Sequence, residues 1–373
     1  HKPLFIKAII AWEDALSGTP SGHLVGFDAA ASGLQIMSVI TGDESGCTAT
    51  GLVDPDVRSD AYSIVTEKQS EILGTPVEQA RSKVKQAAMT MAYGSEAQPE
   101  SIYGKGTDEL KAFYQAMHQI FPGACQMLKD CLASWIPFTD KHCWILPDAV
   151  EVQVNNYQRN EQQIVIDELN GSGFKYQWFS IGGEKRSKKN AANIVHSIDA
   201  YILRSVYRRC NYNPSVIVIA HETLIEETIR RIKDTSTVTI TTVSDSKFTK
   251  SLENYKRSLV VDITMLQHLD NSKNSNVRSL NDKHLKELLR LTVEILKHKP
   301  FEVITIHDDY KCHPSHVNTL RRHYSSVLAS LADSRILCDV LHQIAGMEPP
   351  TGSESKCRPD LAETIRNSNY ALS

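Results

Sequence analysis

The sequence of 373 residues contains no run of apolar residues long enough to cross a bilayer. Its first residues, which start at His1, lack the charged and then apolar layout of a secretory signal peptide. The 8 cysteines include no Cys-x-x-Cys pair, so neither a common zinc site nor a disulfide framework is indicated. We therefore expect reduced thiols, a cytoplasmic location and no membrane partner.

A large excess of either charge is also missing. The net charge is −3, which argues against a wholly basic surface but not against a basic cleft. The length and an ordinary hydrophobic share of 41% indicate two or three domains with sizeable cores. Two basic groups could lie near phosphates or could simply be solvated: Lys185, Arg186, Lys188 and Lys189, and then Arg204, Arg208 and Arg209.

Hydrophobic periodicity predicts a mixed α/β chain. Helices are expected at residues 2–16, 32–40, 59–73, 76–93, 107–135, 190–209, 281–298 and 316–346. Strands are expected at 23–27, 143–182, 215–220, 237–243 and 303–306, with a hairpin turn at Asn170-Gly171-Ser172-Gly173. The remaining tail, 347–373, is polar and weakly patterned.

Two short apolar strands, which we expect to be buried, each deliver a carboxylate at their end. The strand 23–27 leads into Asp28, and the strand 303–306 leads into His307 and Asp308. A carboxylate at a strand end is held rigidly, and carboxylates from two separate elements can hold a pair of metal ions. Taken singly, each Asp is equally well explained as a turn former or a helix cap.

The helix predicted at 76–93 carries a second pattern. Arg81, Lys85, Met89 and Tyr93 are spaced by four, which places them along one side of the helix. Two cations followed by an aromatic ring suit a nucleoside triphosphate, because the cations bind phosphate oxygens and the ring stacks near the sugar or base. In an isolated helix, solvated cations and a core tyrosine would explain the same residues.

The order of these patterns is more specific than any one of them. Strand–Asp28, then Arg81-x3-Lys85-x7-Tyr93-Gly94, then strand–His307-Asp308 resembles motifs A, B and C of the bacteriophage and mitochondrial single-subunit DNA-directed RNA polymerases. Residues 81–95 look very close to motif B of that family. Lesser similarities lie at residues 2–5, 12–13, 60–65 and 195–200, and in outline the resemblance covers 2–100 and 143–320.

The resemblance implies a right-hand polymerase fold of the α/β (α+β) class, with an antiparallel palm sheet and mainly helical fingers. It divides the chain into palm at 1–58, fingers at 59–190 with the motif B helix at 76–93 and a hairpin loop at about 160–182, palm at 191–346 with an insertion at about 211–300, and a C-terminal tail at 347–373. The hairpin would take the place of the family's promoter-reading loop, although its sequence does not match.

The resemblance also implies roles for individual residues. Asp28 and Asp308, helped by the backbone carbonyl of Ala29, would bind two Mg²⁺ ions. Arg81 and Lys85 would bind the incoming triphosphate, and Lys85 would protonate the leaving pyrophosphate. The other implied site residues are Tyr93 and His196 at the sugar 2′-hydroxyl, Gly94 beside the nucleotide, Tyr62 near the templating base, and His307 near the RNA 3′ end.

Two alternatives stay open, a related DNA polymerase and an inactive nucleic-acid-binding remnant. DNA polymerases of the related family carry a Glu five residues after the motif A Asp, where this chain has Gly33, which leaves room for a 2′-hydroxyl. They usually carry an aromatic residue at the position of Met89. Asp309 favours the DNA enzymes instead, because the RNA enzymes usually have a small neutral residue there.

Three departures from the family shape the expectations. Almost nothing precedes Asp28, whereas relatives carry an N-terminal domain and a thumb there. We therefore expect a second polypeptide that supplies those parts, with a phage heterodimer in the host cytoplasm preferred to an organelle enzyme and a truncated single chain as the alternative. The expected ligands are DNA template, RNA product and ribonucleoside triphosphates.

The other two departures concern residues 216–222 and the last residues. Val216 to Glu222 imitates motif C without its Asp, which suggests a decoy or an extra strand. The ending Tyr370-Ala371-Leu372-Ser373 differs from the aromatic ending that reaches the active site in the phage enzymes, so a role for this end of the sequence is doubtful.

Overall fold

A computed structural model describes residues 2–19, 21–76, 80–181, 187–233, 245–270, 274–347 and 359–373. The fold is mixed α/β, with many helices and small antiparallel sheets. The α-helices of the described residues are α1 Lys2–Ser17, α2 Ser32–Thr41, α3 Glu44–Ala49, α4 Ala61–Leu73, α5 Ala80–Met91, α6 Ala97–Tyr103, α7 Asp108–Ile120, α8 Pro122–Ala133, α9 Lys189–Cys210, α10 Pro214–Lys233, α11 Ser246–Ser258, α12 Asn274–Arg278, α13 Asp282–Ile295, α14 Val317–Ala332, α15 Ile336–Ala345 and α16 Pro359–Arg366.

The strands of the described residues form three separate sheets. Their ranges are β1 Val25–Asp28, β2 Lys141–Ile145, β3 Glu151–Asn155, β4 Tyr157–Ile166, β5 Ser172–Ile181, β6 Ile304–Ile306 and β7 Asp309–Cys312. The first sheet has the order β1-β7-β6, and the other two are the pairs β2-β3 and β4-β5. The hairpin of β4 and β5 confirms the turn expected at Asn170 and Gly171, both of which adopt positive φ (54° and 73°).

Side-chain caps explain where several helices begin. The carboxylate of Asp60 accepts hydrogen bonds from the first amides of α4, Thr107 caps α7, and Asn281 caps α13. The helices expected at 59–73, 107–135, 190–209, 281–298 and 316–346 are confirmed, with breaks between α7 and α8 and between α14 and α15. Within the described residues, no helix is both long and apolar enough to span a bilayer.

The strand predicted at 215–220 is wrong, because these residues belong to the helix α10. Pro214 opens this helix, and the side chain of Asn213 accepts the amide of Ser215. Ile217, Ala220 and Leu224 are buried at helical spacing. A short run of Val and Ile fits a buried strand or a buried helix equally well. Here the helix is the form that packs these residues into the protein core. The strand predicted at 237–243 lies outside the described residues.

The strands that carry the two carboxylates are less buried than expected. Residues alternate between half-buried and exposed along β1 and along β6. Ile304 and Ile306 remain 50% and 56% exposed. The expectation of two buried strands is therefore wrong for one face of this sheet, while Tyr310 and Cys312 of β7 are buried on the other face.

The described residues form two hydrophobic cores. The larger one runs from Ala29 to Leu372 and includes the helix α2, which packs against α8, α9 and α14. The smaller one contains residues between Tyr212 and Ile295 and is built mainly by α10, α11 and α13. The segment expected as an insertion at 211–300 thus has a core of its own.

The basic group on α9 does not offer free cations for phosphate. Arg204 and Arg208 both bind the buried carboxylate of Asp148, at 2.7 Å and 2.9 Å. Arg209 is only 2% exposed, and its Nη1 donates to the hydroxyl of Ser326. The expectation of a solvated side chain is therefore wrong for Arg209, whereas Arg204 and Arg208 are paired but still 27% and 33% exposed. In the other group, Lys185 and Arg186 lie outside the described residues.

Candidate active site

The first sheet brings the two predicted carboxylates together. Asp28 is the last residue of β1, and Asp308 lies in the turn between β6 and β7. The central strand β7 is antiparallel to both β1 and β6, so these two strands run parallel to each other. Their C-terminal ends therefore lie at the same end of the sheet. The amide of Ala29 donates to the carbonyl of Asp308 at 3.2 Å, which links the two segments directly.

Both segments contain a residue in the left-handed backbone region. Ala31 and His307 each have φ of 55°, a conformation that costs a non-glycine residue about 1 kcal/mol or more. Ala31 stands at the start of α2, and His307 forms the turn that presents Asp308. Such strain persists only where surrounding structure enforces it, and here it occurs beside each of the two carboxylates.

The carboxylates near this edge repel one another. Burial and then the charges of Asp309 and Asp308 raise the pKa of Asp28, although Lys311 and Lys85 act in the opposite sense. The carboxylate of Asp309 is itself paired with Lys311 at 2.9 Å. A divalent cation between Asp28 and Asp308 would relieve this repulsion.

The donor set fits Mg²⁺. Among the described residues, no group of three or more His, Cys, Asp or Glu side chains is arranged to hold a metal ion. Mg²⁺ is usually held by one or two carboxylates together with substrate phosphates and water, rather than by a complete protein cage. Asp28 and Asp308, with the carbonyl of Ala29, supply that partial set.

A cavity of about 610 Å³ opens beside the carboxylates. Asp28 and Asp308 line it, and the helix α5 lines it with Arg81, Lys85 and Met89. Because these residues are spaced by four along the helix, they lie on one side of it and line the same cavity, as the sequence pattern predicts. The arrangement places Arg81 and Lys85 around the same cavity as Asp28 and Asp308.

Tyr62, from the start of α4, lies between the cations. The guanidinium carbon of Arg81 and the Nζ of Lys85 are both 5.9 Å from the centre of its ring, within the range of a cation–π contact. Burial, followed by the charge of Asp60, raises the pKa of Tyr62 to about 12. The phenol is thus neutral at physiological pH.

Tyr93, Gly33 and His196 meet in a second part of the site. The rings of Tyr93 and His196 have their centres 4.4 Å apart. A Cβ atom on Gly33 would lie 3.1 Å from the hydroxyl of Tyr93. The absent side chain at position 33 thus lets the Tyr93 hydroxyl lie close to the backbone of α2.

The structure places most of the predicted site residues around the cavity. Three of them do not line it: Gly94 is buried behind Tyr93, His196 contacts the ring of Tyr93, and His307 precedes Asp308 in the turn. The site residues missed by sequence reasoning are Arg58, Asp60, Asp199 and Ser373. Asp60 could have been found as a cap signal before α4, whereas nothing local marks Ser373.

Asp199 is a further carboxylate close to the site. It follows His196 by one turn of α9. Burial, and then the charge of Asp308, raises the pKa of Asp199 to about 6, and His307 acts in the opposite sense. The same carboxylate contributes to raising the pKa of Tyr93, after burial.

The sequence matches no protein-family profile, and no curated protein matches it at a significant level.

Proposed function

We propose that this chain carries out DNA-templated RNA synthesis by two-metal nucleotidyl transfer, as the catalytic subunit of a polymerase. The observation that carries the proposal is the single cavity that Asp28 and Asp308 share with Arg81 and Lys85. Carboxylates at one wall and cations at another are what a magnesium–triphosphate complex requires. The right-hand polymerase fold, with a palm sheet of β1, β7 and β6, is part of the same proposal.

Each residue then has a distinct task. Asp28, Asp308 and the carbonyl of Ala29 would hold two Mg²⁺ ions, which would supply charge stabilisation for the attacking and leaving oxygens. Arg81 and Lys85 bind and orient the triphosphate, and Lys85 delivers a proton to the leaving pyrophosphate. Most of the work is positioning and charge neutralisation.

The space above Gly33 supports ribonucleotides over deoxyribonucleotides. A longer side chain there would occupy the region of the Tyr93 hydroxyl, where Tyr93 and His196 are proposed to recognise the 2′-hydroxyl. A site without that side chain admits the extra oxygen. In the alternative, a DNA polymerase, a side chain would fill this space or the nucleotide would not enter it.

Uncovered apolar surface supports a second polypeptide that completes the enzyme. No residue of α1 is buried, and Leu4, Phe5, Trp12 and Leu16 are each at least 65% exposed. Patches of this kind usually mark interaction sites. A partner that supplies the thumb and the N-terminal domain would cover them, and Ile304 and Ile306 of β6 offer further apolar surface.

Primer extension on single-stranded DNA tests the function. The complete chain, with any protein that copurifies from its source, is incubated with Mg²⁺ and either ribonucleotides or deoxyribonucleotides. We expect ribonucleotide incorporation that Asp308→Asn abolishes and that Glu302→Gln, an exposed carboxylate shortly before β6, leaves unchanged.

The other outcomes select the other candidates. A preference for deoxyribonucleotides would establish the DNA polymerase instead. Binding of single-stranded DNA without incorporation of either nucleotide, with the partner present, would indicate the inactive binding protein. Incorporation that survives Asp308→Asn would remove the two-metal mechanism.

A further inference from the structure

The carboxylate of Asp60 connects two helices of the site. Its Oδ1 accepts the amide of Tyr62 at 3.1 Å, and the hydroxyl of Ser63 donates to its Oδ2 at 2.9 Å. The Nε of Arg81, on α5, donates to the same Oδ2 at 2.6 Å. Asp60 therefore begins α4 and also holds a cation of the neighbouring helix.

Two contacts from α4 fix the orientation of Arg81. One is the bond between Nε and Asp60, and the other is the approach of the guanidinium to the ring of Tyr62 at 5.9 Å. Nε is the atom of Arg81 that takes part in the ion pair. Nη1 and Nη2 make no hydrogen bond to any residue that the structure describes. The guanidinium is thus held in one plane while its outer edge stays available.

Available Nη groups on an oriented guanidinium suit bidentate binding of a phosphate. Both Asp60 and Arg81 line the cavity that contains Asp28 and Asp308. We propose that Asp60 is a positioning residue, which holds Arg81 through Nε so that its Nη1 and Nη2 bind the triphosphate of the incoming nucleotide. The proposal rests on the proposed function for the identity of the ligand.

The expected loss of affinity in an Asp60 variant depends on how exposed the Asp60–Arg81 pair is to solvent. The side chains of Arg81 and Asp60 are 56% and 39% exposed, and pairs of this kind contribute about 0.2–1 kcal/mol. Since 1.4 kcal/mol is a tenfold change, that range corresponds to a change in affinity of about 1.4- to fivefold. Loss of Arg81 itself removes charge-assisted bonds and should weaken binding about tenfold or more.

Asp60→Asn separates the two roles of this residue. Asn is as good a helix cap as Asp, so α4 keeps its start while the ion pair is lost. Calorimetric titration of the full chain, with its partner where one copurifies, measures the Kd of Mg·ATP and of inorganic tripolyphosphate. We expect both to bind about 1.4- to fivefold more weakly to Asp60→Asn. The KM for the nucleotide should rise by the same factor, while kcat should stay within about twofold of the wild type.

Three variants define the interpretation. Asp60→Asn in an Arg81→Gln background should cause no further loss, because the two residues act as a pair. Arg81→Lys keeps the charge but not the fork, and should recover little affinity. Asp245→Asn is the matched control, since Asp245 caps α11 with the same two amide bonds outside the cavity, and it should change neither Kd nor KM.

Several results would overturn the proposal. Unchanged or tighter binding by Asp60→Asn would show that Asp60 does not position Arg81, as would additive losses in the double variant. Failure of the two proposals is distinguishable. If binding depends on Asp60 but no nucleotide is incorporated, the proposed function alone is wrong. If nucleotides are incorporated and the KM of Asp60→Asn is unchanged, the positioning role alone is wrong. If the wild-type chain binds neither probe, both proposals are wrong.

Discussion

The backbone amide of Ser373 donates a hydrogen bond to the backbone carbonyl of Asp28 at 3.0 Å. Ala29 and Leu372 form an antiparallel bridge beside it. The carbonyl of Ala371 accepts from the side chain of Gln35, and Arg321 donates to the carbonyl of Leu372. The last residues of the sequence therefore lie against the segment that carries Asp28, although their ending is not aromatic and the sequence made a role for them doubtful.

Removal of residues 371–373 should lower the rate of nucleotide incorporation, because Asp28 and Ala29 would lose the backbone that supports them. Leu372 is 1% exposed, so Leu372→Ala should also lower the free energy of unfolding by about 2–5 kcal/mol. Urea denaturation and primer extension measure the two effects. Ser373→Ala keeps the amide and should behave as the wild type, and a fully active deletion variant would exclude this supporting role.

Gly33→Glu should shift the proposed polymerase toward deoxyribonucleotides. The new side chain would enter the space beside the Tyr93 hydroxyl, where even a Cβ comes within 3.1 Å. We expect the ratio of ribonucleotide to deoxyribonucleotide incorporation to fall at least about tenfold, a difference in transition-state energy of about 1.4 kcal/mol. Gly33→Ala, which adds only the Cβ, should lower the ratio less than Gly33→Glu does. Equal ratios in Gly33→Glu and the wild type would place the sugar elsewhere.

Asp148→Asn should destabilise the chain by about 3 kcal/mol, because two arginines would lose a buried partner. Burial alone would raise the pKa of Asp148, but the hydrogen bonds from Arg204 and Arg208 outweigh it and lower that pKa. Stability from this group is therefore present above the unfolded pKa and is lost as the pH falls through the folded value.

Chemical denaturation at several pH values checks this prediction. The difference in unfolding free energy between the wild type and Asp148→Asn should shrink as the pH falls below about 4. Asp108→Asn removes an exposed pair with Lys111 and should leave stability nearly unchanged, because solvent screens such a pair. A similarly small effect of Asp148→Asn would contradict the structural role of this carboxylate.

His284 should make the smaller core sensitive to acid. Its ring is fully buried and stacks on Tyr255 with centres 3.4 Å apart. Neither ring nitrogen has a hydrogen-bond partner among the residues that the structure describes. Burial lowers the pKa of His284 to about 3. The unfolded chain therefore binds a proton below about pH 6.5 that the folded chain rejects, so stability present above that pH is lost as the pH falls.

His284→Phe should remove this dependence. It keeps a ring against Tyr255 and leaves no polar group unpaired. Between pH 8 and pH 5 the wild type should lose about 2 kcal/mol more unfolding free energy than the variant. Parallel curves for the two proteins would show that His284 is protonated equally in the folded and unfolded states.

Much of the helical framework and one part of the site could be predicted from the sequence. The spacing of Arg81, Lys85 and Met89 is a property of one helix, and a helix of that period must present them on one side. The strand ends that carry Asp28 and Asp308 could be located in the same way. These features depend on local periodicity, which a single sequence contains. The prediction that Tyr93 belongs to the same helix is wrong, because α5 ends at Met91 and Tyr93 lies in the turn that follows.

Other features depended on contacts between distant segments. Residues 215–220 have the composition of a strand, but burial of Ile217 against the smaller core made them helical. Arg204 and Arg208 could serve phosphate or solvent by sequence, until folding placed the buried Asp148 between them. Local pattern carries no information on such partners.

By itself, the sequence determined which residues could share a helix face and where carboxylates follow strands. Only the tertiary structure decided that Asp60 holds Arg81 and that Ser373 supports Asp28. The first is a side-chain pair between two helices, and the second is made by backbone atoms, which every residue type carries. Neither contact produces a periodic pattern in the sequence, so both are determined by tertiary packing alone.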